Sequence, residues 1–249
     1  MDTTFTLPAI ILAMALMPAA TKAAELKVLG GGSMMASLKE LAPRFERITG
    51  HKLDITFAAT PDLIRMATSA PFDAGLVPVD VMKNGDARAK FVAGEHPPIA
   101  RVGYGVAVRA GAPKPDISTP EKLKEALLNA KSIAYLPGSA AGSYVQKVFE
   151  RLGIAEPLKA KTKAQTSPPA IAHAVAVGDA ELGVFVTNVL MAPGVELAGP
   201  FPGDLQQHLV FVGAVAADSL HADAAKAFID FLQTPDAAAV FKAKGVTPG

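Results

Sequence analysis

Three short turns carry the residue types that could do chemistry in this chain. They are Gly30-Gly31-Gly32-Ser33, Ala58-Ala59-Thr60-Pro61-Asp62 and Pro137-Gly138-Ser139-Ala140-Ala141-Gly142-Ser143. Each joins glycine or alanine to a Ser or Thr at an expected helix start. Small side chains let a ligand reach the backbone, a hydroxyl can donate to it, and the free N–H groups of a helix start favour negative charge. Three such turns facing one another would bind an oxyanion or carboxylate without a formal positive charge. Taken singly, each also reads as ordinary helix capping by Ser or Thr. It is their joint placement after strands that points to an anion.

Other chemistries find no motif. Gly30-Gly31-Gly32-Ser33 is followed by Met34-Met35, so it has neither the Gly-Lys-Ser/Thr of a P-loop nor the glycine spacing of a dinucleotide fingerprint. No Gly-x-Ser-x-Gly elbow occurs. The histidines His51, His96, His173, His208 and His221 are scattered without metal-ligand spacing. His173, within the apolar run from Ile171 to Val177, reads as a helix-surface or packed residue. Asp179 and Glu181 beside a glycine read as a solvated turn. The expectation is therefore no metal and no cofactor.

The elements around these turns follow from apolar periodicity. Leu26 to Leu29 is a β-type run, and Leu38, Leu41, Phe45 and Ile48 then recur at helical spacing up to Gly50, a C-cap. Ser33 is expected to cap that helix. Leu53 to Ala58 is a second strand, Thr60-Pro61-Asp62 opens a second helix with Thr60 as its cap, and Ala74 to Val79 is a third buried run. This βαβαβ order implies a parallel sheet. Strand, turn and helix begin again near residue 105: a strand from Val102 to Val108, a helix opened by Thr119-Pro120-Glu121, a strand from Ser132 to Leu136 and a helix carrying Tyr144, Val145, Val148 and Phe149. Glu181 to Val186 and Leu209 to Ala216 are later strands, and helices from Asp223 to Leu232 and after Thr234-Pro235 close the chain. Two α/β lobes are expected, with ligands beyond the carboxyl ends of the strands.

Composition narrows the function classes. The 249 residues are 50% hydrophobic and 19% charged, with a formal net charge of +1. That excludes an intrinsically disordered chain, and without a basic excess no nucleic-acid partner is expected. The absence of cysteine removes disulfides, thiolate metal sites and cysteine nucleophiles. Three Tyr and no Trp leave little aromatic surface for stacking a sugar or base. The apolar run from Leu7 to Ala20 is too short to span a membrane. Followed by Thr21-Lys22-Ala23-Ala24, it reads as a secretory signal peptide over residues 1–24, the alternative being a buried N-terminal helix. The mature protein is expected to be periplasmic.

The chain resembles the periplasmic molybdate-binding proteins of ABC importers, a family with the type II periplasmic binding-protein fold. The resemblance is carried by Val28-Leu29-Gly30-Gly31-Gly32-Ser33, Phe45-Glu46-Arg47-Ile48-Thr49-Gly50, Ile55-Thr56-Phe57-Ala58-Ala59-Thr60, Ala140-Ala141-Gly142-Ser143-Tyr144, Gly178-Asp179-Ala180-Glu181-Leu182-Gly183-Val184 and Ala227-Phe228-Ile229-Asp230-Phe231-Leu232. It implies an α/β protein of two lobes, each a mainly parallel sheet flanked by helices, joined by crossing hinge strands and closing on the ligand. The first lobe is expected over 25–103 plus 217–249 and the second over 104–216, in a monomer that hands a small anionic ligand to an ABC transporter permease. A receptor partner that senses the closed form is an alternative use of the same fold.

The resemblance also implies the site. Ser33 and Thr60 match hydroxyl donors of the family, Ala141 matches a backbone donor, and Ser139, Gly142, Ser143, Ile171 and Thr187 complete the expected ligand-binding set. Two family positions are not kept: a backbone donor falls at Pro168, which has no N–H, and a ligand-binding Tyr is Val186. Ala170 or Ile171 would have to replace the first. Losing two neutral donors to a buried dianion, at roughly 1.5–3 kcal/mol each, predicts a small organic carboxylate, or an oxyanion held by other donors, rather than molybdate. Some relatives of this family are periplasmic aconitate isomerases, so isomerisation of a small tricarboxylate is the alternative function, with Arg65, Lys83, Arg101 and His173 as candidate cations and bases.

Overall fold

The computed structural model describes residues 23–249, so all of the expected signal segment except its last two residues lies outside the described residues. The chain opens with β1 (Glu25–Gly31), a 3-10 turn at Gly32–Met34, α1 (Met35–Thr49), β2 (Lys52–Ala58), α2 (Thr60–Ser69) and β3 (Ala74–Pro78). Two short helices, α3 (Val79–Lys83) and α4 (Gly85–Arg88), lead to the long strand β4 (Pro98–Arg109). Then come α5 (Pro120–Asn129), β5 (Ile133–Tyr135), α6 (Ala140–Arg151), α7 (Ala155–Lys159), β6 (Thr162–Ala164), α8 (Pro168–Ala176), β7 (Leu182–Val186), α9 (Thr187–Leu190) and β8 (Val195–Pro200). The chain ends with β9 (His208–Val215), α10 (Ala222–Phe231), α11 (Pro235–Ala243) and the two-residue β10 (Thr247–Pro248).

The strands follow the order β2-β1-β3-β9-β4-β7-β5-β6, with β8 and β10 also paired to β4. β1 runs parallel to β2 and β3, and β5 runs parallel to β6 and β7. β4 joins the two groups. It pairs antiparallel with β9 from Pro98 to Gly103 and with β7 from Tyr104 to Ala107. One strand thus belongs to both lobes and changes sheet between Gly103 and Tyr104. The chain returns to the first lobe earlier than the expected residue 217, because β9 is hydrogen-bonded between β3 and β4. An apolar strand followed by two helices does not announce in sequence which sheet it will complete.

Helix starts separate the readable from the misread. Thr119, Ser139 and Thr234 cap α5, α6 and α11 by accepting from the N–H groups of Lys122, Gly142 and Ala237 at 3.2, 3.0 and 3.3 Å. Ser33 does not cap α1: the 3-10 turn intervenes and Met34 stands at the N-cap. Thr60 is the first helical residue of α2, and Ala59 occupies the cap position. Gly50 closes α1 as expected, in the left-handed region at φ 75°. On α1, Leu38, Leu41 and Phe45 are buried, whereas Ile48 extends past the core and is 72% exposed.

Phe45 fastens α10 to the first lobe. Its ring lies 5.2 Å from Phe228 and 5.6 Å from Phe231 between centroids, with no exposed surface. Replacing Phe45 with Ala is expected to lower stability by about 3–5 kcal/mol, read as a fall in the urea midpoint. A loss under about 1 kcal/mol would show that α10 is held elsewhere.

Candidate functional site

The three turns converge. The ends of β1 and β2 and the turn after β5 enclose an inner cavity of about 20 Å³, bounded by Ser33, Thr60, Ser139 and Ala141 with Pro168 and Phe185 behind them. That volume suffices for about one water molecule. The lobes meet across it through two hydrogen bonds: the Ala140 N–H donates to Thr60 Oγ1 at 3.2 Å, and Asn188 Nδ2 donates to the Ser33 carbonyl at 2.6 Å. Gly32 lies so close to Pro168 that a Cβ there would stand 3.1 Å from the proline ring.

The donors in this inner cavity are few. The Ser33 hydroxyl and the Ala141 N–H make no hydrogen bond among the described residues. Ser139 is occupied, donating to the Leu136 carbonyl at 2.9 Å while accepting from the Gly142 N–H. Gly142 is required by packing, since a Cβ would fall 1.7 Å from the Leu136 oxygen. α8 points its start at the cavity but opens with Pro168 and Pro169, neither of which has an N–H, and the Ala170 N–H turns back to the Ser167 carbonyl at 3.2 Å. The first three residues of the helix therefore offer the site no free N–H. Ile171 packs in the core against Gly183, Thr187 lies beside Gly105 at the start of α9, and neither lines this inner cavity. Val186 is fully buried and stands opposite Tyr104 in the β4–β7 ladder.

A second, larger cavity opens outward from Thr60 and Ser139. It measures about 580 Å³, and Lys83, Lys147, His208, Asp80, Ser143, Tyr104 and Tyr144 line it. That is the size range of small-molecule sites. Lys83 and Asp80 form an ion pair of 2.8 Å, which leaves Lys147 as the lysine of the wall without an ion pair among the described residues. Of the cations and bases expected from sequence, Lys83 alone reaches a cavity. Arg65 pairs with Asp62 at 2.9 Å on the exposed face of α2, Arg101 faces outward on β4 opposite Thr247, and His173 is exposed on α8. Lys147, His208 and Tyr104 were not singled out, because α6, β9 and β4 bring them together from distant parts of the chain. Lys147, one turn after Ser143 on the same exposed helix face, left the only local trace. Among the described residues no group of three or more His, Cys, Asp or Glu is placed to hold a metal, and no helix is long and apolar enough to cross a membrane.

Burial, with smaller contributions from Asp80 and Tyr144, holds the Tyr104 phenol well above its usual range. Burial also raises Tyr135 and Tyr144. All three phenols are therefore hydrogen-bond donors at neutral pH.

The chain is similar to known proteins along nearly its whole length. The family model of bacterial extracellular solute-binding proteins matches residues 26–247. An aconitate isomerase of Pseudomonas sp. is 36% identical, over 98% of this chain and 96% of that protein. The molybdate-binding protein ModA of Azotobacter vinelandii is 28% identical over 97% and 98%. Among solved structures, the periplasmic molybdate-binding protein of Azotobacter vinelandii superposes with a TM-score of 0.74 at 20% identity, covering 90% of this chain and 99% of that one. The sulfate-binding protein SubI of Mycobacterium tuberculosis H37Rv gives 0.72 at 17% identity, covering 90% and 87%. These folds are two-lobed, as expected from the sequence.

Two outcomes follow from the geometry. Neither Ser33 nor Thr60 caps its helix through the side chain, so the double replacement by Ala is expected to lower the ligand-free stability read from urea unfolding by no more than about 1 kcal/mol, the lost Thr60–Ala140 bond included; a larger loss would show that these side chains hold the fold beyond that bond. Because folding raises the phenol pKa values, their stabilisation is complete below the unfolded value of about 10 and is lost as pH climbs above it. The urea midpoint is expected to fall between pH 9 and pH 11, and an unchanged midpoint would contradict the burial of these phenols.

Proposed function

The chain belongs to the family of bacterial extracellular solute-binding proteins, and from that premise we propose that its cleft binds a small organic acid carrying two or three carboxylates. The observation that carries this reading is the outer cavity: about 580 Å³, lined by Lys83, Lys147 and His208 together with Thr60 and Ser139. The inner cavity, about 20 Å³, has room for one ligand oxygen rather than a whole tetrahedral oxyanion. A carboxylate end seated against Ser33 and Ala141, with the rest of the molecule between the lysines, uses both spaces. Opposite charge across a cleft steers and orients an anion. In this reading the protein acts as a periplasmic monomer that delivers its ligand to the permease of an ABC importer, and the hinge at Gly103 and Tyr104 couples binding to lobe closure.

A second reading, isomerisation of a tricarboxylate such as aconitate, is favoured by the similarity to aconitate isomerase and by His208 in the cavity wall. A base that removes a proton from the methylene carbon and returns it to the former vinyl carbon shifts the double bond with no net change in atoms or electrons. The lysines would offset the negative charge that spreads into the carboxylates as the proton leaves.

A thermal-shift series with trans-aconitate, citrate, sulfate and molybdate tests the binding. Ligand at a hundredfold over Kd adds about 2.7 kcal/mol to stability. The carboxylates are expected to raise the melting temperature, and replacing Lys83 and Lys147 together by Met is expected to weaken that binding about tenfold or more. A shift with molybdate alone would overturn the proposal. Proton NMR of trans-aconitate incubated with the protein separates the two readings, since an isomerase equilibrates it with the cis form and a carrier leaves it unchanged.

A further inference from the structure

Tyr104 is the first residue of β4 after the strand changes sheet, and its surroundings hold it rigidly. Its N–H donates to Gln206 Oε1 at 2.9 Å, and Gln206 Nε2 donates back to its carbonyl at 2.9 Å. The glutamine amide thus stands in for a peptide group of a neighbouring strand. The Phe201 N–H donates to the same carbonyl at 3.0 Å. The ring is fixed as well, with Tyr144 at 4.7 Å and Phe201 at 5.9 Å between centroids. Only 2% of the residue is exposed.

The hydroxyl is the exception to this order. Buried tyrosine hydroxyls normally find a partner, and neighbouring Tyr144 donates to the Leu205 carbonyl at 2.9 Å. The Tyr104 hydroxyl makes no hydrogen bond among the described residues, although the residue lines the outer cavity. Asp80 and Tyr144, which act on its phenol through space, line the same cavity. Asp80, the acidic group in that wall, is taken up by Lys83. A protonated donor held on a rigid ring, with no acceptor from the protein, suits a ligand that brings an acceptor of its own. Fixing the donor beforehand removes the ordering cost that a free side chain would add to binding.

We propose that Tyr104 is a ligand contact that determines specificity, its hydroxyl donating to an oxygen of the anion in the outer cavity. This rests on the reading of the cleft as an anion site. A donor so placed discriminates against ligands that present a hydrogen or a methyl group there, because the phenol would then stay desolvated and unpaired.

Tyr104→Phe removes only the hydroxyl and keeps both ring contacts and both Gln206 bonds. With three tyrosines and no tryptophan in the chain, tyrosine emission is not masked, and the difference between wild type and variant isolates the share that depends on Tyr104. Wild type and variant are titrated with trans-aconitate, citrate, inorganic phosphate and molybdate by calorimetry and by emission. The wild type is expected to bind at least one of these with a change in emission. The variant is expected to bind the same anion about tenfold or more weakly, to lose most of that emission change, and to unfold at an unaltered urea midpoint. Equal affinity in the two proteins would overturn the role of Tyr104 and leave the anion site standing. A lowered midpoint with an undiminished emission change would make Tyr104 a packing residue and also overturn the proposal. A wild type that binds none of the four would overturn the anion reading and the Tyr104 contact together.

Discussion

The cleft depends on the continuity of β4. A single strand that is hydrogen-bonded to β9 up to Gly103 and to β7 from Tyr104 ties the lobes together, and one apolar core runs along it from Leu26 and Phe45 to Phe149 and Phe185. A backbone ladder can bend at such a switch with little loss of hydrogen bonding. The Gln206 amide keeps the ladder satisfied where the strand leaves one sheet for the other. Every site residue sits on one side or the other of that switch, so its distance from the opposing residues is set by hinge geometry.

In the proposed reading the cleft combines two ways of holding an anion. Neutral donors at helix starts bind a compact oxyanion by directed N–H groups, as the turns holding Ser33, Thr60 and Ala141 suggest. That scheme is incomplete here, because α8 opens with Pro168-Pro169 and β7 ends on the apolar Val186. Positive charge in the outer cavity, from Lys83 and Lys147, is the other way. It acts over a longer range and suits an extended ligand with several carboxylates. The small inner and large outer spaces are consistent with that division.

Some of the structure could be read because the relevant signal is local. Thr119, Ser139 and Thr234 cap helices because a hydroxyl followed by a free N–H three residues on needs nothing else. The same residue types at Ser33 and Thr60 do not cap. A 3-10 turn displaces the first, and the second begins its helix one residue early, which frees its oxygen for Ala140 of the other lobe. Sequence spacing cannot separate these cases, since what differs is the approach of a distant backbone. Lys147 and His208 were obscured for a related reason: exposed charged residues are common, and their meeting with Lys83 is a property of lobe docking.

By itself the sequence determined the α/β elements, the turns after β1, β2 and β5, and the loss of the Pro168 N–H, because periodicity, capping and the proline ring act within a few residues. Only the tertiary structure decided that those turns close on a space of about 20 Å³, that Ile171 and Thr187 stand outside it, and that Lys147, His208 and Tyr104 line the cavity beside it. Those outcomes depend on which strands pair across the hinge and how far the lobes close, and such long-range contacts leave no periodic mark on the chain.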